Sequence, residues 1–74
     1  MGGLALKFTS PGFTGVPDRI VLLPKGKTIF VELKKIGGKL SPRQIRVHQI
    51  LRDKGFEVWT INNVNDFKKK LKEV

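Results

Sequence analysis

The sequence predicts an α/β fold, a small mixed β-sheet flanked by helices, built as one domain over residues 1–74. Three observations carry this. Two β-branched apolar runs, Arg19 to Leu23 and Thr28 to Leu33, are separated only by Pro24-Lys25-Gly26-Lys27, the pattern of an antiparallel hairpin. A helix with complete start and stop signals follows, from Ser41-Pro42 to Gly55. A further run rich in Val, Trp and Ile, Phe56 to Ile61, comes directly after that helix, so its pairing is expected to be a parallel crossover.

The elements are justified in chain order. Leu4 to Phe8 alternates weakly and reads as a short edge strand, broken by Ser10-Pro11-Gly12. Phe13 to Pro17 is a glycine-containing loop, and Ile36 to Lys39 a flexible one. The helix after it has Ser41 as N-cap, Pro42 at its first position and Gln44 placed to complete a capping box. It runs to about Lys54, where Gly55 supplies the left-handed residue that ends helices. Asn63 caps a last helix over Val64 to Lys72, whose Phe67 and Leu71 are spaced i, i+4 as an apolar contact.

Composition narrows the function classes. Fifteen Lys and Arg against six Asp and Glu give a formal net charge of +9, a field that attracts polyanions, nucleic acid first. Cysteine is absent and there is one His, which excludes disulfides, thiolate metal sites and multi-histidine zinc centres. No apolar run approaches the ~18 residues of a membrane span, and no secretory signal opens the chain. The expectation is a small, soluble, cytoplasmic, nucleic-acid-binding domain without a membrane partner. Lys68, Lys69, Lys70 and Lys72 read as a solvated helix face first.

With six acids, each placement is informative. Asp18 starts the first hairpin strand, Glu32 lies near the end of its partner, and Lys34 follows two residues later on the same face. The hairpin brings Asp18 and Glu32 together at its open end. Two carboxylates with a lysine beside them suit Mg²⁺, which takes oxygen ligands and completes its shell with water and phosphate. An ordinary solvated ion pair reads the same way on this pattern alone. His48, one turn after Gln44, reads as a packed or surface histidine, with general base the alternative; Trp59 reads as core, with base stacking the alternative.

Ser10-Pro-Gly-Phe-Thr-Gly-Val-Pro-Asp-Arg-Ile-Val-Leu-Leu, then Phe-Val-Glu-Leu-Lys-Lys, then Gly-Lys-Leu-Ser-Pro-Arg-Gln, in that order, closely resemble the virus-type replication-repair nuclease (VRR-NUC) domain of the PD-(D/E)XK nuclease superfamily. The resemblance runs from about Lys7 to Leu71. It implies a PD-(D/E)XK core of hairpin, helix, strand and helix, and a metal-dependent DNA endonuclease. Asp18, Glu32 and the backbone carbonyl of Leu33 would hold Mg²⁺ or Mn²⁺. Lys34 would be the catalytic lysine, and Gln44 would face the site rather than serve only its helix cap. Gly12 and Gly15 match the loop that DNA approaches. Lys7, Arg19, Lys35, Lys39, Arg43 and Arg46 are the expected DNA contacts. Family members usually begin with a helix bearing a further glutamate, yet no acid precedes Asp18 here, so that helix is expected to be missing. Its absence would leave Leu4, Leu6 and Phe8 uncovered, which favours a homodimer. Stand-alone members resemble four-way (Holliday) junction resolvases of phage or bacterial origin. The rivals are a non-catalytic DNA-binding module on the same fold and a small basic RNA-binding protein, the latter weakened by the absence of Tyr.

Overall fold

Two strands joined by a turn this short can pair only antiparallel, and the computed structural model, which describes residues 2–74, has that hairpin at its centre. Strand β2 (Arg19–Leu22) pairs with β3 (Thr28–Leu33) in a register that sets Arg19 opposite Val31 and Leu22 opposite Thr28. The connection is a single 3-10 turn, Pro24–Gly26, closed by the Leu23 N–H donating to the Lys27 carbonyl at 2.8 Å. Strand β1 (Leu4–Lys7) adds antiparallel to β2 at one edge. Strand β4 (Glu57–Ile61) adds parallel to β3 at the other, after the crossover through helix α1 (Pro42–Asp53). The sheet order is therefore β1-β2-β3-β4, with helix α2 (Val64–Lys72) closing the chain. The small mixed sheet flanked by helices is the expected α/β architecture.

Strand alternation sends successive side chains to opposite faces. On one face Val21, Ile29, Val31 and Ile61 form a buried cluster, against which Leu23, Trp59 and the α2 residues Phe67 and Leu71 pack. Trp59 is thus a core residue, its ring 6.2 Å edge-on from that of Phe67. The other face centres on Phe30, which meets the rings of Phe8 at 5.8 Å and Phe56 at 5.3 Å. Helix α1 covers this face with Val47 and His48, both buried. It does not reach the β1 edge, where Leu4, Leu6 and Leu22 remain 55%, 44% and 39% exposed.

The start of α1 decides where the helix sits. Gly15, at φ +88°, lies so close to it that an added Cβ would stand 2.8 Å from Arg43 Cγ and 3.1 Å from Val47 Cγ2. Only glycine supplies both that backbone angle and that clearance. The Arg43 Nε–H donates to the Thr14 carbonyl at 3.2 Å and its guanidinium lies over the Phe13 ring, which clamps the loop onto α1 from the other side. The loop runs from this clamp through buried Pro17 into Asp18.

Candidate active site

The hairpin register delivers the first two site residues. One step beyond the Arg19–Val31 pair, Asp18 stands opposite Glu32. The Phe8 N–H donates to the Asp18 carbonyl at 2.7 Å, which holds its backbone in the sheet. Asp18 Oδ2 accepts the N–H of Leu33 at 3.0 Å. The residue that precedes β2 thereby uses its side chain to cap the end of β3.

Glu32 is only 2% exposed, with Asp18 on one side and α1 behind it. Burial, then a hydrogen bond with the Asp18 carboxyl, then the charge of Asp18 push its pKa up to about 7, against the opposing charge of Lys34. Near neutral pH Glu32 therefore still carries a proton in a substantial fraction of molecules. Lys34, whose side chain is 22% exposed, holds its Nζ 3.9 Å from Glu32 Oε2. Its own N–H donates to the Ile61 carbonyl at 2.9 Å, so β4 fixes the backbone from which the lysine projects.

Behind Glu32 lies His48, fully buried, with Nε2 3.7 Å from Glu32 Oε1. That is too long for a hydrogen bond. Glu32 Oε1 and both His48 nitrogens have no hydrogen-bond partner, at a cost of about 1–3 kcal/mol for each group so left. Burial, then the positive charges of Arg52 and Lys34, hold the His48 pKa below the ordinary imidazole value. His48 is packed, as its place on the helix predicts, and its neighbour is the most buried acid at the site. Its position four residues after Gln44 on the inward stripe of α1 was the available signal.

The donor set fits a hard divalent cation. Two carboxylates and a strand-end carbonyl are oxygen ligands of the kind Mg²⁺ and Mn²⁺ take, and a dication favours the ionised form of a carboxyl pair that otherwise retains a proton. Among the described residues no three His, Cys, Asp or Glu side chains form a metal-binding group.

Residues 4–65 match the VRR-NUC domain. The chain belongs to the VRR-NUC family. A solved structure of a VRR-NUC domain superposes with a TM-score of 0.87 at 35% identity, covering 96% of this chain and 77% of that one. The protein named "Putative nuclease p44", from Acyrthosiphon pisum secondary endosymbiont phage 1, is 51% identical over 63 residues, 85% of this chain and 68% of its own length. The chain is thus a nuclease domain with the PD-(D/E)XK-like core that its motifs imply.

Of the expected site residues, the VRR-NUC fold gathers Asp18, Glu32, Leu33 and Lys34 at the end of β3. It treats the others differently. Gln44 is a correction: its Oε1 accepts the Ser41 N–H at 2.8 Å while its own N–H donates to Ser41 Oγ at 3.1 Å, a closed capping box that keeps the carboxamide at its helix terminus. Arg19 follows Asp18 by one residue and pairs with Lys7, so both point to the face away from the carboxylates. Arg46, two residues from inward-facing His48, is exposed on the outer side of α1. Arg43 is held by the loop clamp. Gly15 serves the loop-to-helix approach, while Gly12, at φ +83°, has open space around it. Lys35 and Lys39 are exposed on the loop that leaves the site. No helix is long and apolar enough to cross a membrane among the described residues.

Proposed function

We propose that this VRR-NUC domain is a divalent-metal-dependent DNA endonuclease that hydrolyses phosphodiester bonds in branched DNA, four-way junctions above all. It acts as a homodimer, in the cytoplasm of a bacterial or phage-infected cell. The observation that carries the reading is the convergence of Asp18, buried Glu32 and Lys34 at one strand end.

Asp18, Glu32 and the Leu33 carbonyl would hold Mg²⁺ or Mn²⁺. When bound, such a cation lowers the pKa of a coordinated water and offsets phosphate charge. The chain's own contribution is positioning and charge. The Leu33 N–H fixes the Asp18 carboxylate, and the β3 ladder fixes the backbone from which Glu32 projects, so both ligands start from held positions. Lys34 presents its ammonium beside Glu32, where it steadies the attacking water or the negative charge that grows on the phosphoryl oxygens. Water adds its oxygen to phosphorus, the P–O bond to the departing sugar breaks, and the proton of the water balances that alkoxide. Lys35 and Lys39 provide phosphate contacts on the adjoining loop, which orient the duplex without reading its sequence.

The surface at β1 supports the dimer. Leu4 and Leu6 stand on an edge strand with Leu22 beside them, an apolar strip that a second copy covers. A two-fold dimer sets two such sites for paired incisions.

The test is cleavage of linear, flap and four-way DNA with Mg²⁺, Mn²⁺ or EDTA, by wild type and Lys34→Ala. Four-way DNA is expected to be cut fastest, only with metal, and Lys34→Ala to lose at least 100-fold in rate while binding DNA within a few-fold of wild type. Binding without metal-stimulated cleavage would instead make the chain a non-catalytic DNA-binding module.

A further inference from the structure

The proposed reaction uses the solvent side of Glu32 and leaves its buried side unexplained. There the carboxylate meets a histidine whose side chain is wholly out of solvent. Three polar atoms in this small volume, Glu32 Oε1 and the two ring nitrogens of His48, have no hydrogen-bond partner. The gap between Oε1 and Nε2 is 3.7 Å, less than 1 Å beyond a hydrogen bond. Burying an imidazole against a carboxylate is unfavourable unless the two are used together. An aliphatic residue at position 48 would fill the same place without an orphaned nitrogen.

From this we infer that His48 is a positioning residue for the metal site, whose Nε2–H donates to Glu32 Oε1 and fixes the carboxylate so that Oε2 faces the cation. The inference rests on the metal reading of the preceding section. Several features agree with it. Oε2 is the oxygen nearer Lys34, on the open side, while Oε1 is turned to the helix. Helix α1 supplies a rigid mount, since its first turn is fixed by the capping box and by the loop clamp around Gly15. Histidine in place of a longer amine suits the site because it brings one aimed donor without adding a flexible charge beside Glu32.

Donors of this kind to a ligating group change metal affinity by about 10–100-fold when removed. The experiment is calorimetric titration of the full chain with Mn²⁺ alone, so that no DNA or turnover enters the readout. Circular dichroism and urea unfolding of each metal-free variant fix the folded fraction. Wild type, His48→Leu and His48→Gln are compared, and Gln restores a donor at the reach of Nε2. His48→Leu is expected to weaken Mn²⁺ binding at least tenfold, and His48→Gln to remain within about threefold of wild type. If His48→Leu does not fold, His48→Asn, whose carboxamide stops short of Glu32, takes its place. Equal Mn²⁺ affinity in wild type and the donor-less variant overturns the inference. Equal weakening in the Leu and Gln variants overturns it as well, because packing alone would then be at stake. A wild-type chain that binds no Mn²⁺ overturns the metal reading itself, a result distinct from either.

Discussion

Glu32 and His48 titrate in opposite senses, and the metal-free protein should show it. A free glutamate ionises near 4.5, whereas Glu32 holds its proton to about 7. The folded state therefore binds more protons than the unfolded state between those values. The stability due to Glu32 is full below pH 4.5 and is lost as pH rises through about 7, about 3 kcal/mol in all. His48 has a lowered pKa, so its contribution is full above 6.5 and is lost as pH falls toward the folded value. Just below pH 6.5 the two slopes oppose, so the wild-type profile is flatter there than Glu32 alone would make it. His48→Leu removes one of them. Its stability should fall by about 2 kcal/mol from pH 5 to pH 7.5, most of the Glu32 contribution. Asp18→Asn tilts the profile the other way relative to wild type. It removes a carboxyl that raises the Glu32 pKa, while its amide oxygen still accepts the Leu33 N–H. Urea unfolding in EDTA at pH 5, 6 and 7.5 checks both. With a slope on the order of 1 kcal/mol/M for a chain this short, the His48→Leu midpoint should drop by ~2 M across the range. A His48→Leu profile parallel to that of wild type would refute the assignment of the opposing slopes.

Two further outcomes are expected. Gln44→Glu keeps an acceptor for the Ser41 N–H and adds a charge that suits a helix N-terminus, so stability should hold or rise by a few tenths of a kcal/mol and DNA cleavage should be unchanged. Lost cleavage at intact stability would return the carboxamide to the reaction. Light scattering at micromolar concentration should report about twice the 8.3 kDa chain mass, and Leu6→Lys on the exposed strip should reduce it to one; a folded wild-type monomer would refute the dimer.

Most of the fold was legible because its signals are local. Proline, glycine and capping residues mark the ends of the hairpin and of both helices, and the elements begin and end within a residue or two of those marks. The pairing of Asp18 with Glu32 was legible because a short turn leaves little freedom of register. The face taken by Arg19 and Lys7 was legible too, since Arg19 adjoins Asp18 and period-two alternation sends it to the other side of the sheet. Gln44 was undecidable from sequence, because one side chain satisfied two patterns and only its rotamer chooses. The contact of His48 with Glu32 was hidden for a different reason. It depends on the rotation of α1 about its axis over the sheet, set by the close approach at Gly15 and the Arg43 clamp, neither of which leaves a periodic trace.

The turn at Pro24–Gly26 has a consequence beyond joining two strands. It lies at the far end of the hairpin from Asp18 and Glu32, yet it is the ruler by which those residues are measured against each other. One residue added there would slide β2 along β3 by about 3.3 Å and offer Arg19 rather than Asp18 opposite Glu32, or force a bulge to absorb the excess. The alignment of the two acids is thus encoded in a chain length as much as in two side chains. Surface loops ordinarily tolerate insertions, but this one, remote from the chemistry and exposed, would transmit a change of length directly to the spacing of the carboxylates.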